Sequence, residues 1–141
     1  MYIDANLVVS GDRSDAGVWT GQVIEDDELS TYSIDLDAIK NLSKGKQLYM
    51  VIIIDTAFTT CTSVNFQVVT DEDEALGTSL TVQMETGVLA RTSLTLNRAP
   101  IVIPIGSALG TEQQYLGLRY VLATPGSDTG VVIAFVAFDT P

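Results

Sequence analysis

The sequence contains no histidine and only one cysteine, Cys61, among its 141 residues. Without histidine the chain cannot assemble a Ser-His-Asp triad or a Cys-His pair, and zinc would be left with one thiolate and carboxylates. Cys61 has no partner for an intramolecular disulfide, and its neighbours are threonines rather than cationic groups that would activate a thiolate. We therefore interpret Cys61 as a small structural residue and expect no enzymatic activity.

Positive charge is also scarce, since 7 basic residues stand against 18 acidic ones and the net charge is -11. Nucleic-acid binding relies on Lys and Arg to displace counterions, so we expect neither nucleic acid nor an anionic membrane as a partner. No apolar run reaches the roughly 20 residues of a membrane span, and the N-terminus lacks the basic start and apolar stretch of a signal peptide. We expect a protein made in the cytosol.

The chain is nevertheless rich in apolar residues, which make up 46% of the sequence, while only 18% are charged. This composition and length predict one folded domain over residues 1–141. The mean hydropathy is positive, which is high for a soluble monomer of this size. The surplus of apolar surface suggests an oligomer.

The clearest strand is predicted over residues 47–56, where β-branched and long apolar side chains alternate between two faces. One face carries Leu48, Met50, Ile52 and Ile54, and the other carries Tyr49, Val51 and Ile53. Because both faces are apolar, this strand lies deep in a sandwich or has its outer face on another subunit.

Apolar runs of strand length recur between Gly, Pro and Asp turns, and sustained helical spacing is hard to find. Further strands are predicted at 64–70, 79–86, 101–105, 115–124 and 131–139, with weaker ones at 3–9, 18–24 and 32–36. Residues 37–42 can form one helical turn, and residues 90–100 are not assigned. Eight or nine strands predict an all-β protein, a jelly roll or β-sandwich with little or no helix.

Two acidic clusters, at 25–28 and 71–74, offer carboxylate oxygens that Ca²⁺ prefers. Neither has the Asp-x-Asp-x-Asp-Gly spacing that wraps oxygens around one ion, so we interpret both as solvated turns and predict no metal. No glycine-rich phosphate motif is present, and no cofactor is predicted. Two carboxylates from distant strands would suffice for glycoside hydrolysis, but no feature selects a pair.

Two further residues are candidates for an interface. Trp19 lies between Gly17 and Gly21 and is interpreted as a core residue, a sugar platform or an interface anchor. Arg119 is the lone charge in an apolar strand and needs a carboxylate, so we expect it to form an ion pair across strands or subunits.

The order and spacing of several segments, from the N-terminus to residue 120, resemble the capsid cement, or decoration, proteins of short-tailed bacteriophages such as the Bordetella podovirus. These segments are residues 1–10, 48–51 leading into 55–59, 66–70, 101–104 and 115–120. Residues 12–29 depart from the family pattern in being longer and more acidic.

The resemblance implies a jelly-roll virion protein that forms homotrimers on the outer surface of the capsid and clamps neighbouring major capsid protein subunits. It leads us to expect that Tyr2, Ile3 and Asn6 form an arm that adds a strand to a neighbouring sheet edge, or else an ordinary first strand of the same subunit. A competing hypothesis is a carbohydrate-binding β-sandwich, for example of a tail fibre, in which Trp19 and Tyr32 or Tyr49 stack on sugars. A glycoside hydrolase is the third hypothesis.

Overall fold

A computed structural model of the chain describes residues 5–13, 20–36, 47–105, 113–124 and 126–138. Within these ranges the protein is all-β, and its only helical segments are 3-10 turns at Ala5–Leu7 and Arg91–Ser93. The strands are β1 (Val8–Ser10), β2 (Gln22–Ile24), β3 (Glu28–Leu29), β4 (Ile34–Asp35), β5 (Leu48–Thr56), β6 (Ser63–Asp71), β7 (Thr81–Ala90), β8 (Ile101–Ile105), β9 (Tyr115–Ala123) and β10 (Gly130–Ala137). No helix in the described ranges is long and apolar enough to span a membrane.

The strands form two antiparallel sheets. In sheet A, β1 and β2 both pair with β10, which pairs with β5, which pairs with β8. In sheet B, β3 and β4 both pair with β9, followed by β6 and then β7. If β1 with β2 and β3 with β4 are each counted as one interrupted strand, the eight positions run 1-8-3-6 and 2-7-4-5. This is the jelly-roll topology, and the predicted fold class is confirmed.

The strong strand predictions match β5 to β10 within a few residues, whereas the weak N-terminal ones are longer than the observed strands. β1 begins only at Val8, after a 3-10 turn, and Ile3 lies outside the described residues. β3 lies outside the predicted strands, because it has only two residues and its first, Glu28, belongs to the acidic cluster at 25–28. The expected helical turn at 37–42 also lies outside the described residues. Residues 90–100 contain the end of β7, a 3-10 turn and a loop.

The core lies between the two sheets and contains one tight polar link. Tyr120 on β9 is fully buried and packs edge to face against Phe66 on β6, with 5.7 Å between ring centroids. The Tyr120 hydroxyl shares a 2.6 Å hydrogen bond with Ser10 Oγ on β1. Because Ser10 belongs to sheet A and Tyr120 to sheet B, this buried bond joins the sheets directly.

The strand β5 is buried on both faces, as its sequence predicts. Met50 and Ile52 face the main core, whereas Val51 lies in a second apolar cluster with Phe135 on the opposite face of sheet A. All four side chains are 0% exposed in the isolated chain. The outer face around Val51 is therefore already covered without another subunit.

Strands β1 and β2 pair with the same strand, β10, and a glycine lies beside each of them, Gly11 after β1 and Gly21 before β2. Gly11 adopts a φ of +125°, and the Asp12 N–H donates to the Thr20 carbonyl at 2.9 Å, which closes the base of the segment. A Cβ on Gly21 would lie 2.5 Å from Val131 Cγ1. Gly11 therefore supplies a left-handed backbone conformation and Gly21 a close approach to β10, both of which disfavour a side chain.

Candidate interaction surfaces

The predicted interface residues fall in three different settings. Tyr2, Ile3 and Trp19 lie outside the described residues. Asn6 is exposed on the 3-10 turn that leads into β1. Arg119 is half-buried on β9, directly across from Gln67 on β6. The structure therefore does not bring Asn6 and Arg119 into one site.

One end of the sandwich is organised by the carboxylate of Asp128, which is 1% exposed. Five backbone N–H groups from the β5–β6 loop and the start of β10 donate to it at 2.7–3.1 Å. Their residues are Thr59, Thr60, Cys61, Thr129 and Gly130. A single side chain thus fixes the loop between two strands that are distant in sequence.

The electrostatics of this end follow from the same contacts. Burial raises the pKa of Asp128, but the N–H donors from Cys61, Thr59 and Thr60 outweigh burial and hold it well below its usual range. Burial and the neighbouring Asp128 carboxylate together raise the pKa of Cys61 to about 12. Asp128 is therefore ionised at neutral pH, and Cys61 is a buried neutral thiol rather than a nucleophile.

The opposite end contains a second buried carboxylate, Asp71, the first residue of one acidic cluster. It accepts hydrogen bonds from the N–H groups of Asp73, Thr78 and Ser79 at 2.9–3.1 Å and so closes the β6–β7 loop. Burial raises its pKa, and these donors lower it by more. This acidic residue is a structural acceptor at the end of β6 rather than part of a solvated turn.

The other acidic cluster also uses its carboxylates for local structure. Asp27 Oδ1 accepts the Leu122 N–H at 2.7 Å, which attaches the β2–β3 connection to β9. Glu28 Oε1 accepts the Glu25 N–H at 3.1 Å. Among the described residues, no three acidic or cysteine side chains are grouped as metal ligands.

The two tyrosines considered for sugar stacking are already engaged. The Arg13 guanidinium lies 4.3 Å from the centre of the Tyr32 ring and covers one of its faces. Arg13 Nε also donates to the Val8 carbonyl at 2.8 Å, which holds the guanidinium in place. Tyr49 is half-buried against the second apolar cluster of sheet A. Neither ring is an open platform on both faces.

The outer face of sheet A is apolar beyond the buried cluster. Val23 on β2 is 48% exposed, and its cross-strand neighbour Val131 on β10 is partly exposed. Ile53 on β5 and Val102 on β8 extend the same face toward the other sheet edge and are also partly exposed. We call these four residues the sheet A surface. Such a continuous apolar face is typical of a protein interface.

The outer face of sheet B is different, because its edge strand β7 is bulged twice. Relative to β6, one extra residue is inserted near Gln83 and another near Gly87, whose φ is +75°. At the second bulge, Thr86 Oγ1 accepts the Phe66 N–H that the strand backbone no longer reaches. Glu85 and Val88, three residues apart, therefore project from the same outer face.

A polar network lies on this outer face. Asn65 Nδ2 and Gln67 Nε2 both donate to Glu85 Oε2, at 3.1 and 3.0 Å. The amide oxygens of Asn65 and Gln67 are shielded from water and have no hydrogen-bond partner among the described residues. Arg119 forms no ion pair among the described residues, so the expected pairing with a carboxylate across strands is not seen within this part of the chain.

Sequence reasoning missed Asp128 and Glu85. Asp128 was interpreted as part of a turn, and its position after Pro125-Gly126-Ser127 and before a strong strand was the available signal. Glu85 offered no signal, because simple alternation along β7 places it on the opposite face from Val88.

A family model described as Bbp16, a Bordetella phage protein family, matches residues 18–136. No curated protein matches the chain.

Proposed function

The chain belongs to the Bbp16 family of phage proteins, and we propose that it is a capsid cement protein, which binds the outer surface of the phage head and bridges major capsid protein subunits. The family points to a structural phage protein. The observation that carries the proposal is the match over most of the chain, combined with the jelly-roll topology. The protein acts by binding and catalyses no reaction.

The charge and the surface of the molecule support this role. A net charge of -11 suits an outer surface away from packaged DNA, since phosphate backbones repel an acidic protein. The sheet A surface offers an apolar face that a capsid subunit or a neighbouring copy can bury. Each end of the sandwich is held by a buried aspartate, so the connecting loops are ordered before any partner binds.

The mechanism of stabilisation is multivalent binding by a homotrimer. Each copy binds the shell weakly, but three linked copies bind at high effective concentration and gain avidity without further contacts. A trimer that spans neighbouring major capsid protein subunits opposes their separation under outward pressure. Asn6, exposed at the base of the N-terminal segment, is a contact residue in this proposal.

Co-sedimentation with phage shells that lack this protein is the direct test. We expect the protein to pellet with the shells and to saturate at a fixed ratio of copies to major capsid protein. Light scattering on the free protein should give three times 15.1 kDa. Decorated shells should also withstand higher temperature than bare shells. A protein that stays in the supernatant contradicts the proposal.

A matched pair of variants tests the sheet A surface. Val23→Asp places one negative charge on the exposed apolar face, and we expect weaker trimer formation or weaker shell binding because a charge is costly to bury. Thr95→Asp adds the same charge on the exposed β7–β8 connection and should behave as the unmodified protein. Equal behaviour of the two variants would show that this face is not an interface.

The carbohydrate-binding alternative predicts a different outcome from the same preparation. Trp19 is the single tryptophan, so its fluorescence reports on sugar stacking without interference. A monomer that ignores shells and shows saturable quenching by glycans would favour the tail-fibre hypothesis. Turnover of polysaccharides would instead favour the hydrolase.

A further inference from the structure

The open part of the outer face of sheet B has a repeating arrangement across three strands. The central strand is β6, with β7 on one side and β9 on the other. Cross-strand pairing defines three rows, each written from β7 through β6 to β9: Ala90, Ser63, Ala123; Val88, Asn65, Val121; and Glu85, Gln67, Arg119. We call these nine residues the three-row surface.

The three-row surface is self-complementary about β6. In the first two rows the residue on β7 has a like residue on β9, alanine with alanine and valine with valine. In the third row the two flanking residues carry opposite charges, Glu85 and Arg119. A two-fold axis parallel to β6 therefore places Val88 of one copy over Val121 of the other, and Glu85 over Arg119, in both directions.

The residues on that axis are the half-buried amides of Asn65 and Gln67. Asn65 Oδ1 and Gln67 Oε1 are buried and have no partner within the described chain. This chain itself shields both oxygens, so they are not open to a donor from a second copy, and the contact rests on the flanking valines and charges.

The flanking charges also lack complete partners. Glu85 receives both amide donors on Oε2, and no donor among the described residues reaches Oε1. The two amides fix the carboxylate, so it is already oriented for a donor from outside. Arg119 forms no ion pair within the described chain. A guanidinium from a second copy fits the open carboxylate oxygen.

One end of this face is closed and the other is open. A Cβ on Gly117 would lie 2.5 Å from Leu76 Cδ1, so the β6–β7 loop covers sheet B beyond the third row. Val88, by contrast, is 73% exposed, and Ala90 and Ala123 are exposed as well. The covering loop limits a second copy to the three rows.

We propose that the three-row surface is a two-fold contact between two copies of this chain, which on a phage head joins copies from neighbouring trimers. This placement on the head rests on the proposed function. The surface is about 10 Å wide, from two strand spacings, and about 14 Å long. The area that these two dimensions enclose is far below the roughly 800 Å² per partner that a stable interface buries. The contact is therefore weak in free solution and forms when copies are held close together.

Cross-linking through single introduced cysteines tests the position of the axis. Cys61 is buried and its thiol is neutral, so the unmodified chain gives a low background. We would use Gln67→Cys, Glu85→Cys and Arg119→Cys with a thiol-to-thiol reagent that spans about 10 Å, the spacing of packed sheets. Gln67→Cys should form dimers with itself. Glu85→Cys and Arg119→Cys should form dimers when mixed and few when alone.

The pattern is measured on decorated shells and in concentrated solution, with Thr95→Cys as the control for random collisions. If Glu85→Cys cross-linked with itself in the same yield as Gln67→Cys does, the two-fold axis would lie elsewhere. That result would overturn the proposal. A yield for Gln67→Cys no higher than that of Thr95→Cys on fully decorated shells would also overturn it. Failure of the unmodified protein to decorate shells would instead contradict the proposed function, and concentrated solution would still test the contact.

Charge reversal gives an independent test in the Gln67→Cys background. Glu85→Arg or Arg119→Glu creates two like-charge contacts per dimer, so each should lower the cross-linked yield about five-fold or more. The double variant, Glu85→Arg with Arg119→Glu, restores both ion pairs with the two charges exchanged. It should therefore recover the cross-linked yield. Glu72→Arg changes the net charge by the same amount as Glu85→Arg, at an exposed loop position, and serves as the control for that variant. If the double variant lost as much cross-linked yield as either single variant, the result would contradict the Glu85–Arg119 pairing.

Discussion

The backbone N–H of Cys61 donates to Asp128 Oδ2 at 2.7 Å, across 67 residues of sequence. Both residues are buried, and the same carboxylate also receives the N–H groups of Thr59 and Gly130. The bond therefore joins the β5–β6 loop to the start of β10, at the end of the sandwich where Asp27 anchors the β2–β3 connection. Two aspartates therefore hold the β5–β6 loop, the β2–β3 connection and the start of β10 in place.

Asp128→Asn should destabilise the protein strongly. The amide keeps one acceptor oxygen but turns an NH₂ group toward backbone N–H donors, so buried donors lose their partner. We expect a loss of about 3 kcal/mol or more in the free energy of unfolding, as for a broken buried network. The measurement is the midpoint of guanidinium chloride unfolding.

Glu72→Gln is the matched control for that experiment, because it removes one carboxylate from an exposed loop position. Its unfolding midpoint should stay close to that of the unmodified protein. If the two variants lost equal stability, net charge rather than the Asp128 hydrogen bonds would be responsible.

The stability of the protein should fall at acid pH because of Asp128 and Asp71. Both have folded-state pKa values below the unfolded value of about 3.9, since backbone N–H groups outweigh burial. Their contribution is complete above that value and is lost as the pH falls through the folded pKa. Unfolding midpoints measured from pH 7 to pH 3 should therefore decline below about pH 4.

Asp128→Asn provides the internal check on this pH dependence. It removes one of the two titrating groups, so the free-energy difference from the unmodified protein should be largest near neutrality and should shrink below about pH 4. A difference that is constant from pH 7 to pH 3 would show that ionisation of Asp128 is irrelevant.

The architecture could be predicted from the sequence where alternation of side chains is strong. In β5 both the even and the odd positions carry apolar residues, which predicts burial on both faces of the strand. Met50 and Val51 are indeed both 0% exposed. The prediction succeeds because the two-residue period is a direct consequence of strand geometry. The number and spacing of such strands predicted a β-sandwich or jelly roll, whereas the order in which the strands pair is known only from the structure.

The details of the candidate surfaces could not be predicted, because they depend on contacts between distant segments and on breaks in the strand period. The donors to Asp128 come mainly from residues 59–61, which are adjacent to it only after folding. Glu85 and Val88 share a face only because β7 contains an extra residue at Gly87. A glycine within a strand signals a bulge but does not fix which residues it realigns.

The Cys61 thiol should be unreactive in the native protein. Its pKa of about 12 leaves only about one molecule in 10,000 as thiolate at pH 8, and the side chain is also buried. Labelling with a thiol reagent at pH 8 should therefore be slow and should accelerate sharply in guanidinium chloride. Asp128→Asn should speed labelling below the unfolding midpoint, because it frees the loop that covers Cys61. Rapid labelling of the unmodified native protein would contradict this description of the site.

The buried hydroxyl pair of Ser10 and Tyr120 predicts a non-additive double-mutant cycle. Tyr120→Phe leaves the Ser10 hydroxyl without its partner, and Ser10→Ala does the same to Tyr120, so each should cost about 1 kcal/mol or more. The double variant removes both polar groups and should cost less than the sum of the two, by about 1 kcal/mol. Chemical unfolding of the four proteins gives the coupling energy. Strict additivity would mean that the 2.6 Å bond between the sheets contributes nothing to stability and that the hydroxyls are satisfied separately.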